Sequence, residues 1–377
     1  MTGRGNSGFL GALTTPGLLP PLDGLRAVAI LLVLLTHISL HLPGLAFAAG
    51  QSEWTRPLTN GVIGVDLFFV LSGFLVGGAV LRSIAADRFS FRTFYLRRFF
   101  RILPAYFTVI LALGVIRYGW PETGAVPPFA LSRVIPNVLL LTDYWPAEIG
   151  VPSWSLSIEE HFYLLIPLLL LFARNYAPAT RRNLMLGFVF LALLCRMLTF
   201  YFYDLGGAMP GEDIIPLIYY PFHTRMDALA MGVLVALMHQ ESPGGAPGSR
   251  RRVASVLGLL LVGAVFFAGA LSGRWFKTTL QYTILAVGFG AVLWSVLPVQ
   301  PVTLLARLLS SRCWVPIARL SYSLYLTHLV VLNFAERVRL HSLLAPLIML
   351  ACCVGAALPL FLLVEEPLHR YAQRAFR

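Results

Sequence analysis

His37, Asp66 and Glu159 carry the side chains that general acid and base chemistry uses, and each lies in an otherwise apolar stretch of the chain. An imidazole takes up a proton near neutral pH, and a carboxylate beside it fixes the tautomer that accepts this proton. An ionisable residue costs about 2.5–3.5 kcal/mol in the middle of a membrane span, so such residues are functional candidates by default. We therefore predict a centre for general acid and base chemistry in which a carboxylate orients an imidazole.

Other apolar stretches contribute polar residues to the same layer. Arg225 and Asp227 open the stretch "HTRMDAL", Tyr325 and His328 lie in "SYSLYLTHL", and Arg196 falls slightly below them. The depth of each residue follows from the rise of 1.5 Å per residue in a helix. For His328 or Arg196 alone, a polar pair that holds helices together is the favoured interpretation. The shared depth of the whole set favours a common site.

The composition predicts that the elements positioning these residues are membrane helices. The chain has 377 residues, of which 58% are hydrophobic and only 12% are charged, and its mean hydropathy is +0.76. Soluble domains carry about 25% charged residues. Period-2 alternation typical of a membrane barrel is absent, so the predicted fold is an all-α polytopic bundle. About ten runs are long enough to span: 22–42, 61–81, 102–118, 156–173, 183–203, 223–240, 253–272, 279–298, 315–334 and 343–364.

The charge distribution predicts the topology. Arginine is concentrated in the segments 82–101, 174–182, 250–252 and 307–312 and in the tail, whereas the opposite segment 203–216 contains acids and no basic residue. The positive-inside rule then places both termini in the cytoplasm. This distribution accounts for most of the net charge of +12, so nucleic-acid binding is a poor interpretation. The predicted organisation is a flexible cytoplasmic leader (1–21), a transmembrane domain (22–366) and a basic cytoplasmic tail (367–377).

The segment 82–106 alternates arginine with phenylalanine and tyrosine. This pattern predicts an interfacial helix that leads into the third span. Two interpretations stay open: a surface anchor attracted to anionic lipid, or a site for a cytosolic polyanion such as a nucleotide-phosphate cofactor. The segment 133–145 is too short to span and is predicted to be re-entrant or interfacial.

Six motifs are spread over nearly the whole chain. They are "LDGLRAVAILLVLLTH" (22–37), "GVDLFFVLSGFL" (64–75), "YLRRFFRILPAY" (95–106), "WSLSIEEHFYL" (154–164), "RMDALAMG" (225–232) and "SYSLYLTHL" (321–329). Together, and in this order, they resemble the membrane acyltransferase family 3, whose members O-acylate sugars of the bacterial envelope, and some small molecules, from an acyl-CoA donor.

The resemblance implies roles for individual residues. His37 corresponds to the essential histidine of the family and Arg26 to the arginine before it, while Asp66 and Glu159 belong to the active site. His161 stands where many members carry Gln. The candidate residues for the donor phosphates are Arg26, Arg97, Arg98 and Arg101. The candidates for substrate binding or oxyanion stabilisation are Trp154, Arg225, Asp227, Tyr325 and His328.

We therefore expect a multi-pass enzyme of the bacterial cytoplasmic membrane that moves an acyl group, most simply acetyl, from cytosolic acyl-CoA to a hydroxyl of an envelope glycan such as lipopolysaccharide O-antigen or exopolysaccharide. No metal is expected. Some members continue into a soluble hydrolase-like domain, so any periplasmic acyl carrier or transferase used here is expected to be a separate chain. Two alternatives stay open: an acyltransferase for a small molecule or lipid, and a proton-coupled transporter whose buried His and carboxylates relay protons.

Overall fold

The computed structural model of the protein describes residues 13–14, 17, 19–42, 60–119, 131–145, 147, 149, 152–205, 214–242, 247–268, 273–297, 302–337 and 344–376. Within these residues all regular structure is helical, as predicted. The first seven helices are α1 (Pro20–Leu40), α2 (Ile63–Ala85), α3 (Phe91–Gly119), α4 (Leu131–Val138), α5 (Trp154–Phe172), α6 (Pro178–Leu205) and α7 (Ile214–Tyr219). The others are α8 (Phe222–Glu241), α9 (Gly248–Ala268), α10 (Arg274–Thr278), α11 (Leu280–Val296), α12 (Leu304–Leu309), α13 (Trp314–Arg337), α14 (Ala345–Leu360) and α15 (Glu366–Ala375).

Seven of the described helical segments are long and apolar enough to cross a membrane: Pro20–Leu40, Ile63–Ala85, Phe91–Val115, Trp154–Asn175, Pro178–Tyr203, Trp314–Ala335 and Ala345–Ala375. The other three predicted spans are also helices at their predicted places, namely α8, α9 and α11. Polar residues reduce the hydropathy of α8 and of the start of α9, and α11 has only 17 residues. The count of ten spans and the sides of the termini stay predictions.

Residues 82–106 do not form a separate interfacial helix. Residues 82–85 complete α2, and α3 begins at Phe91 and continues without a break to Gly119. Pro104 lies inside α3, where the helix continues through it. The segment 133–145 contains only the short helix α4 followed by turns, as expected for a piece that does not span. Most of the predicted leader, residues 1–12, 15, 16 and 18, lies outside the described residues.

The lipid-facing character of the fold is clearest on α6. Its exposed large apolar residues include a row at intervals of four, Phe190, Leu194, Leu198 and Phe202. Residues four apart share one helix face. An apolar stripe along the length of a helix is costly in water and favourable in lipid, so this surface indicates a membrane-embedded protein.

The chain divides into two compact units. The larger unit comprises Pro16–Phe89 and Ile158–Ala318, and the smaller unit comprises Met1–Thr15, Ser90–Ser157 and Arg319–Arg377. The first turn of α5 thus belongs to the smaller unit and the rest of that helix to the larger one.

Helix α8 is the centre of the larger unit, where it packs against α2, α6 and α11. Every residue from Thr224 to Leu237 is buried. Small residues allow α2 and α8 to approach closely, because a Cβ atom built on Gly232 would lie 2.6 Å from the backbone nitrogen of Phe74 and 2.9 Å from the Cα of Gly73. Real Cβ atoms do not approach other atoms so closely, so the helix pair requires glycine here.

Gly232→Ala is therefore expected to force α2 and α8 apart and to destabilise the protein by about 1–3 kcal/mol, the usual cost of overpacking. The matched control is Gly263→Ala on α9, because a Cβ atom there would have no neighbour within 4 Å. That change should be neutral or stabilising, since alanine is the better helix former. Thermal unfolding in detergent gives the measurement, and equal melting temperatures for the two variants would contradict the packing argument.

The smaller unit has its own apolar core around α3, which contributes Ala105, Tyr106, Val109 and Ile110. The Tyr106 hydroxyl donates to the carbonyl of Asn137 at 2.9 Å, and the Asn137 side chain bonds the backbone of Ile149 on both its N–H and C=O groups. These bonds fasten the turns after α4 to α3.

Most of the predicted tail is helical in the smaller unit and packs on α3. Tyr371 and Phe376 contact the ring of Phe100 with centroids 5.4 Å and 5.8 Å away. A π-helical turn, Phe361–Glu365, joins α14 to α15. Within this turn the Glu365 carboxylate accepts a hydrogen bond of 2.6 Å from Ser323.

Candidate active site

His37 lies near the end of α1 and is partly exposed, so a reactant can reach its ring. Its Nδ1 atom is 2.8 Å from the carbonyl oxygen of Val33. Because a carbonyl only accepts hydrogen bonds, Nδ1 must carry the proton and donate. In the neutral ring the lone pair is then on Nε2, which is the form a general base needs. A backbone carbonyl, rather than the predicted carboxylate, occupies the orienting position at Nδ1.

The packing of α1 on α2 holds this turn in place. A Cβ atom on Gly64 would lie 3.1 Å from Cγ2 of Val33 and 3.2 Å from Cβ of Leu32, so the start of α2 rests against the residue whose carbonyl orients His37. Asp66 follows two residues later and is buried. The first turn of α2 therefore lies beside Leu32 and Val33 of α1, and a joint role of Asp66 and His37 stays a prediction.

Asp66 forms a buried ion pair with Arg225. The Oδ1 atom of Asp66 accepts from Nη2 of Arg225 at 2.7 Å, and their side chains are only 3% and 0% exposed. The Arg225 guanidinium also lies 4.0 Å from the ring centre of Tyr282 and 4.9 Å from that of Tyr219. Aromatic faces attract cations, so these rings replace part of the water that Arg225 loses on burial.

A second buried pair lies in the same unit. Nη2 of Arg196 donates to Oδ2 of Asp227 at 2.8 Å, and Thr283 donates to the same oxygen at 3.1 Å. Arg196 also donates to the backbone carbonyls of Thr279 and Thr224. The formal charges of the two pairs cancel, and together the pairs connect α2, α6, α8 and α11.

Counting residues from the membrane faces predicted the charged residues of this network, which are Asp66, Arg196, Arg225 and Asp227. It did not predict the aromatic and hydroxyl side chains that contact them. Tyr219, Tyr282 and Thr283 were not among the predicted site residues. Tyr282 and Thr283 form the one adjacent hydroxyl-bearing pair in the mostly apolar "LQYTILAVGFGAVLWSV" of α11. That polar pair is the signal that could have revealed them.

Glu159 is partly exposed and lies one turn before Tyr163 on α5. The Tyr163 hydroxyl donates to Oε2 of Glu159 at 3.0 Å and is 2.9 Å from Oγ of Ser72 on α2. Since the Tyr163 proton is directed to the carboxylate, its oxygen accepts from Ser72. This chain of hydroxyl groups fixes one face of Glu159 within the larger unit.

Trp154, Tyr325 and His328 lie in the smaller unit. The hydroxyls of Tyr325 and Ser155 are 2.5 Å apart, and the ring centroids of Tyr325 and His328 are 5.7 Å apart. His328 is fully buried, with Nδ1 2.8 Å from the carbonyl of Tyr325. The structure thus brings Tyr325 and His328 together, and their placement relative to His37 stays a prediction.

The arginines predicted to bind the donor are distributed over both units. Arg26 lies on α1 and is half-buried, while Arg97, Arg98 and Arg101 lie on α3. Arg97 donates to the backbone carbonyl of Phe376, so it also holds the end of the tail. Among the described residues no group of three or more His, Cys, Asp or Glu side chains is placed to hold a metal ion.

The described residues form an all-helical fold with seven candidate spans and a lipid-facing apolar stripe, which define a multi-pass membrane protein whose bundle contains a network of buried charges. Residues 20–365 match the acyltransferase family 3, described as "Acyltransferase domain". The chain belongs to this family, as its motifs predicted.

The chain is 26% identical over 345 residues to O-acetyltransferase OatA of Staphylococcus aureus strain NCTC 8325 / PS 47 and to the same protein of strain COL. Each match covers 85% of this chain and 52% of the relative. The chain thus spans about half the length of the relatives it matches. No solved structure matches it.

Proposed function

We propose that this protein is a membrane O-acyltransferase that moves an acetyl group from cytosolic acyl-CoA to a hydroxyl of an envelope glycan, such as lipopolysaccharide O-antigen or exopolysaccharide, in the bacterial cytoplasmic membrane. Family membership supports acyl transfer, and the relatives named O-acetyltransferase support acetyl transfer to oxygen. The observation that carries the catalytic part is the geometry of His37, an accessible imidazole whose Nδ1 is fixed by Val33.

In the favoured mechanism the acceptor hydroxyl gives its proton to Nε2 of His37 while its oxygen attacks the thioester carbon. The carbon–sulfur bond then breaks, and the coenzyme A thiolate takes the proton back from the imidazolium. The Glu159 carboxylate is the candidate to stabilise the transient positive charge, since Asp66 already pairs with Arg225. In the second mechanism His37 is acylated first and the acceptor attacks the acyl-imidazole.

The donor is proposed to dock its phosphates on the arginine-rich inner face at Arg26, Arg97, Arg98 and Arg101. Arg26 precedes His37 by eleven residues on α1, a rise of about 16 Å, which is similar to the reach of the pantetheine arm. The thioester would then lie at His37 while the nucleotide stays at the inner face. Arg225 and Tyr325 are the proposed oxyanion donors, with Trp154, Asp227 and His328 in the acceptor site.

The buried pairs favour the enzyme over a proton-coupled transporter. A proton carrier must gain and lose its proton during each cycle. Two of the buried carboxylates of the larger unit, Asp66 and Asp227, are instead held by arginines at 2.7 Å and 2.8 Å. Arginine keeps its charge at all accessible pH values, so each of these carboxylates has a permanent counter-ion in the bundle.

The test is an acyl-transfer assay with the purified full chain in lipid nanodiscs, acetyl-CoA labelled in the acetyl group, and polysaccharide from a strain that lacks the gene. We expect alkali-labile label on the polysaccharide and release of free coenzyme A in equal amount. Mass spectrometry of envelope polysaccharide with and without the gene identifies the acceptor. Release of coenzyme A without labelled glycan, with a small molecule or lipid labelled instead, would reassign the acceptor class.

A further inference from the structure

A second polar region of the larger unit lies at the end of α8 that is farthest from the Asp66–Arg225 pair. It is a cavity of about 430 Å³ between the starts of α6 and α9 and the ends of α8 and α11. We call it the basic cleft. The residues that matter for its chemistry are Arg182, His239, Glu241, Arg250, Arg251 and Trp294. Cavities of this volume are in the range that binds small molecules.

Positive charge dominates the walls of the basic cleft. Three arginines line it against one carboxylate, Glu241. Glu241 accepts from Nη1 of Arg182 at 2.6 Å, and Arg181 lies 3.8 Å from its other oxygen. Arg182 keeps 42% of its side chain exposed, so it presents further N–H groups to a ligand. Pro247, the residue before α9, also lines the cleft, so the N-terminus of this helix adds its positive partial charge.

Three consecutive arginines at the start of α9 have different environments. Arg251 is buried and donates to the backbone carbonyls of Ser295 and Leu297, so it joins α9 to the end of α11 and builds the cleft wall. Arg252 is exposed, with Nε 3.4 Å from the carbonyl of Gly248, and does not line the cleft. Arg250 lines the cleft and has no partner among the described residues. Among the described arginines of the cleft, Arg250 is thus the one whose guanidinium is available to a ligand.

Trp294 supplies an aromatic face in the same cavity. The paired N–H groups of an arginine guanidinium match phosphate oxygens in geometry and charge, and an indole ring stacks on flat heterocycles. A ligand that uses all these features has phosphate groups and an aromatic base, whereas inorganic phosphate would leave Trp294 unused.

We propose that the basic cleft binds a nucleoside phosphate, with its phosphates on Arg182 and Arg250 and its base against Trp294. On the proposed function, on which this step rests, the ligand is the adenosine 3′,5′-bisphosphate end of the acyl-CoA donor. The cleft then replaces the arginines of α3 as the main docking point for the nucleotide.

The position of the cleft fits a donor that reaches the reactive layer. Phe74 of α2 contacts His239 of the cleft, with ring centroids 6.3 Å apart. Phe74 follows Asp66 by eight residues on the same helix, a rise of about 12 Å. The distance along α2 from the cleft to the layer of Asp66 is therefore similar to that from Arg26 to His37.

The test is equilibrium binding of adenosine 3′,5′-bisphosphate to the purified full chain in nanodiscs of neutral lipid, by titration calorimetry. Arg250→Gln is expected to weaken binding by about 10–100-fold, the loss of a charge-assisted bond. The matched control, Arg252→Gln, removes the same charge two residues away and should leave affinity unchanged. Trp294→Leu should weaken the nucleotide but not pyrophosphate, which has no base.

Unchanged affinity in both Arg250→Gln and Trp294→Leu would overturn the proposal. A second arm adds phosphatidylglycerol to the nanodiscs: if this lipid displaces the nucleotide and binds less well to Arg250→Gln, the cleft holds a lipid headgroup instead. The KM for acetyl-CoA separates this step from the function itself. Acetyl transfer with an unchanged KM in Arg250→Gln would reject the cleft and keep the enzyme, whereas nucleotide binding without any acetyl transfer would reject the enzyme and keep the cleft.

Discussion

Replacing His37 with glutamine is expected to lower the rate of acetyl transfer by about two to four orders of magnitude, the contribution that a positioned general base makes to such reactions. Glutamine has a similar length and can still donate to the Val33 carbonyl, but its side chain has no basic nitrogen. The KM for acetyl-CoA should change little, because the proposed docking residues are elsewhere. The measurement is initial rate against donor concentration in nanodiscs.

His41 provides the matched control for this variant. It lies four residues after His37, directly after the end of α1, and is also partly exposed. Its Nδ1 atom is 2.7 Å from the carbonyl oxygen of His37. His41→Gln removes an imidazole with the same backbone bond and should leave the rate within a factor of about two to three, the usual effect of a surface change of under about 0.5 kcal/mol. Equal losses in the two variants, or none in His37→Gln, would remove His37 from its role.

Incubating the enzyme with labelled acetyl-CoA in the absence of an acceptor distinguishes the two mechanisms. If the acetyl group passes through His37, enzyme mixed with labelled acetyl-CoA but no acceptor will release one equivalent of coenzyme A in a burst and retain label on the protein. Direct transfer predicts no burst and no labelled protein. His37→Gln should abolish the burst where there is one.

The helices could be predicted because apolar run length is a local property of the sequence. The predicted run 183–203 lies within α6, and 223–240 differs from α8 by one residue at each end. The largest departure is the start of α3, where the structure continues the third span back to Phe91. There the arginine and aromatic residues suggested an element at the membrane surface. Arginine and aromatic residues do not break a helix, so the third span extends back through residues 91–101.

The site could be predicted only in part, because the sequence indicates the depth of a residue in the membrane but not the direction of its side chain around the helix. Counting residues from a membrane face gives the height of Asp66 and Arg225 but not the angle at which each side chain leaves its helix, so their pairing was not foreseen. The orientation of His37 by Val33 also depends on a rotamer that the sequence does not specify. The contact of Glu159 with Tyr163, in contrast, follows from their spacing of four on one helix.

Removing either partner of the Asp66–Arg225 pair is expected to destabilise the protein by about 3–5 kcal/mol, because the remaining charge stays buried without its counter-ion. Asp66→Asn and Arg225→Gln should therefore both lower the melting temperature markedly in detergent. The double variant Asp66→Asn/Arg225→Gln leaves no buried charge at this position and should recover most of that loss. Additive losses in the double variant would contradict the pairing.

Stability and activity together then decide what the pair does. If Asp66 only anchors α2 to α8, the double variant should regain acetyl transfer along with its stability. If Asp66 or Arg225 acts on the reacting groups, as the family motifs imply, the double variant should fold well and still transfer slowly, with kcat reduced at an unchanged KM for acetyl-CoA. Arg225 favours the second outcome, because its Nε and Nη1 atoms have no hydrogen-bond acceptor among the described residues. A buried guanidinium with unused donors is suited to stabilise an oxyanion. Arg196 is not, because its donors already reach the carbonyls of Thr224 and Thr279 and the Asp227 carboxylate.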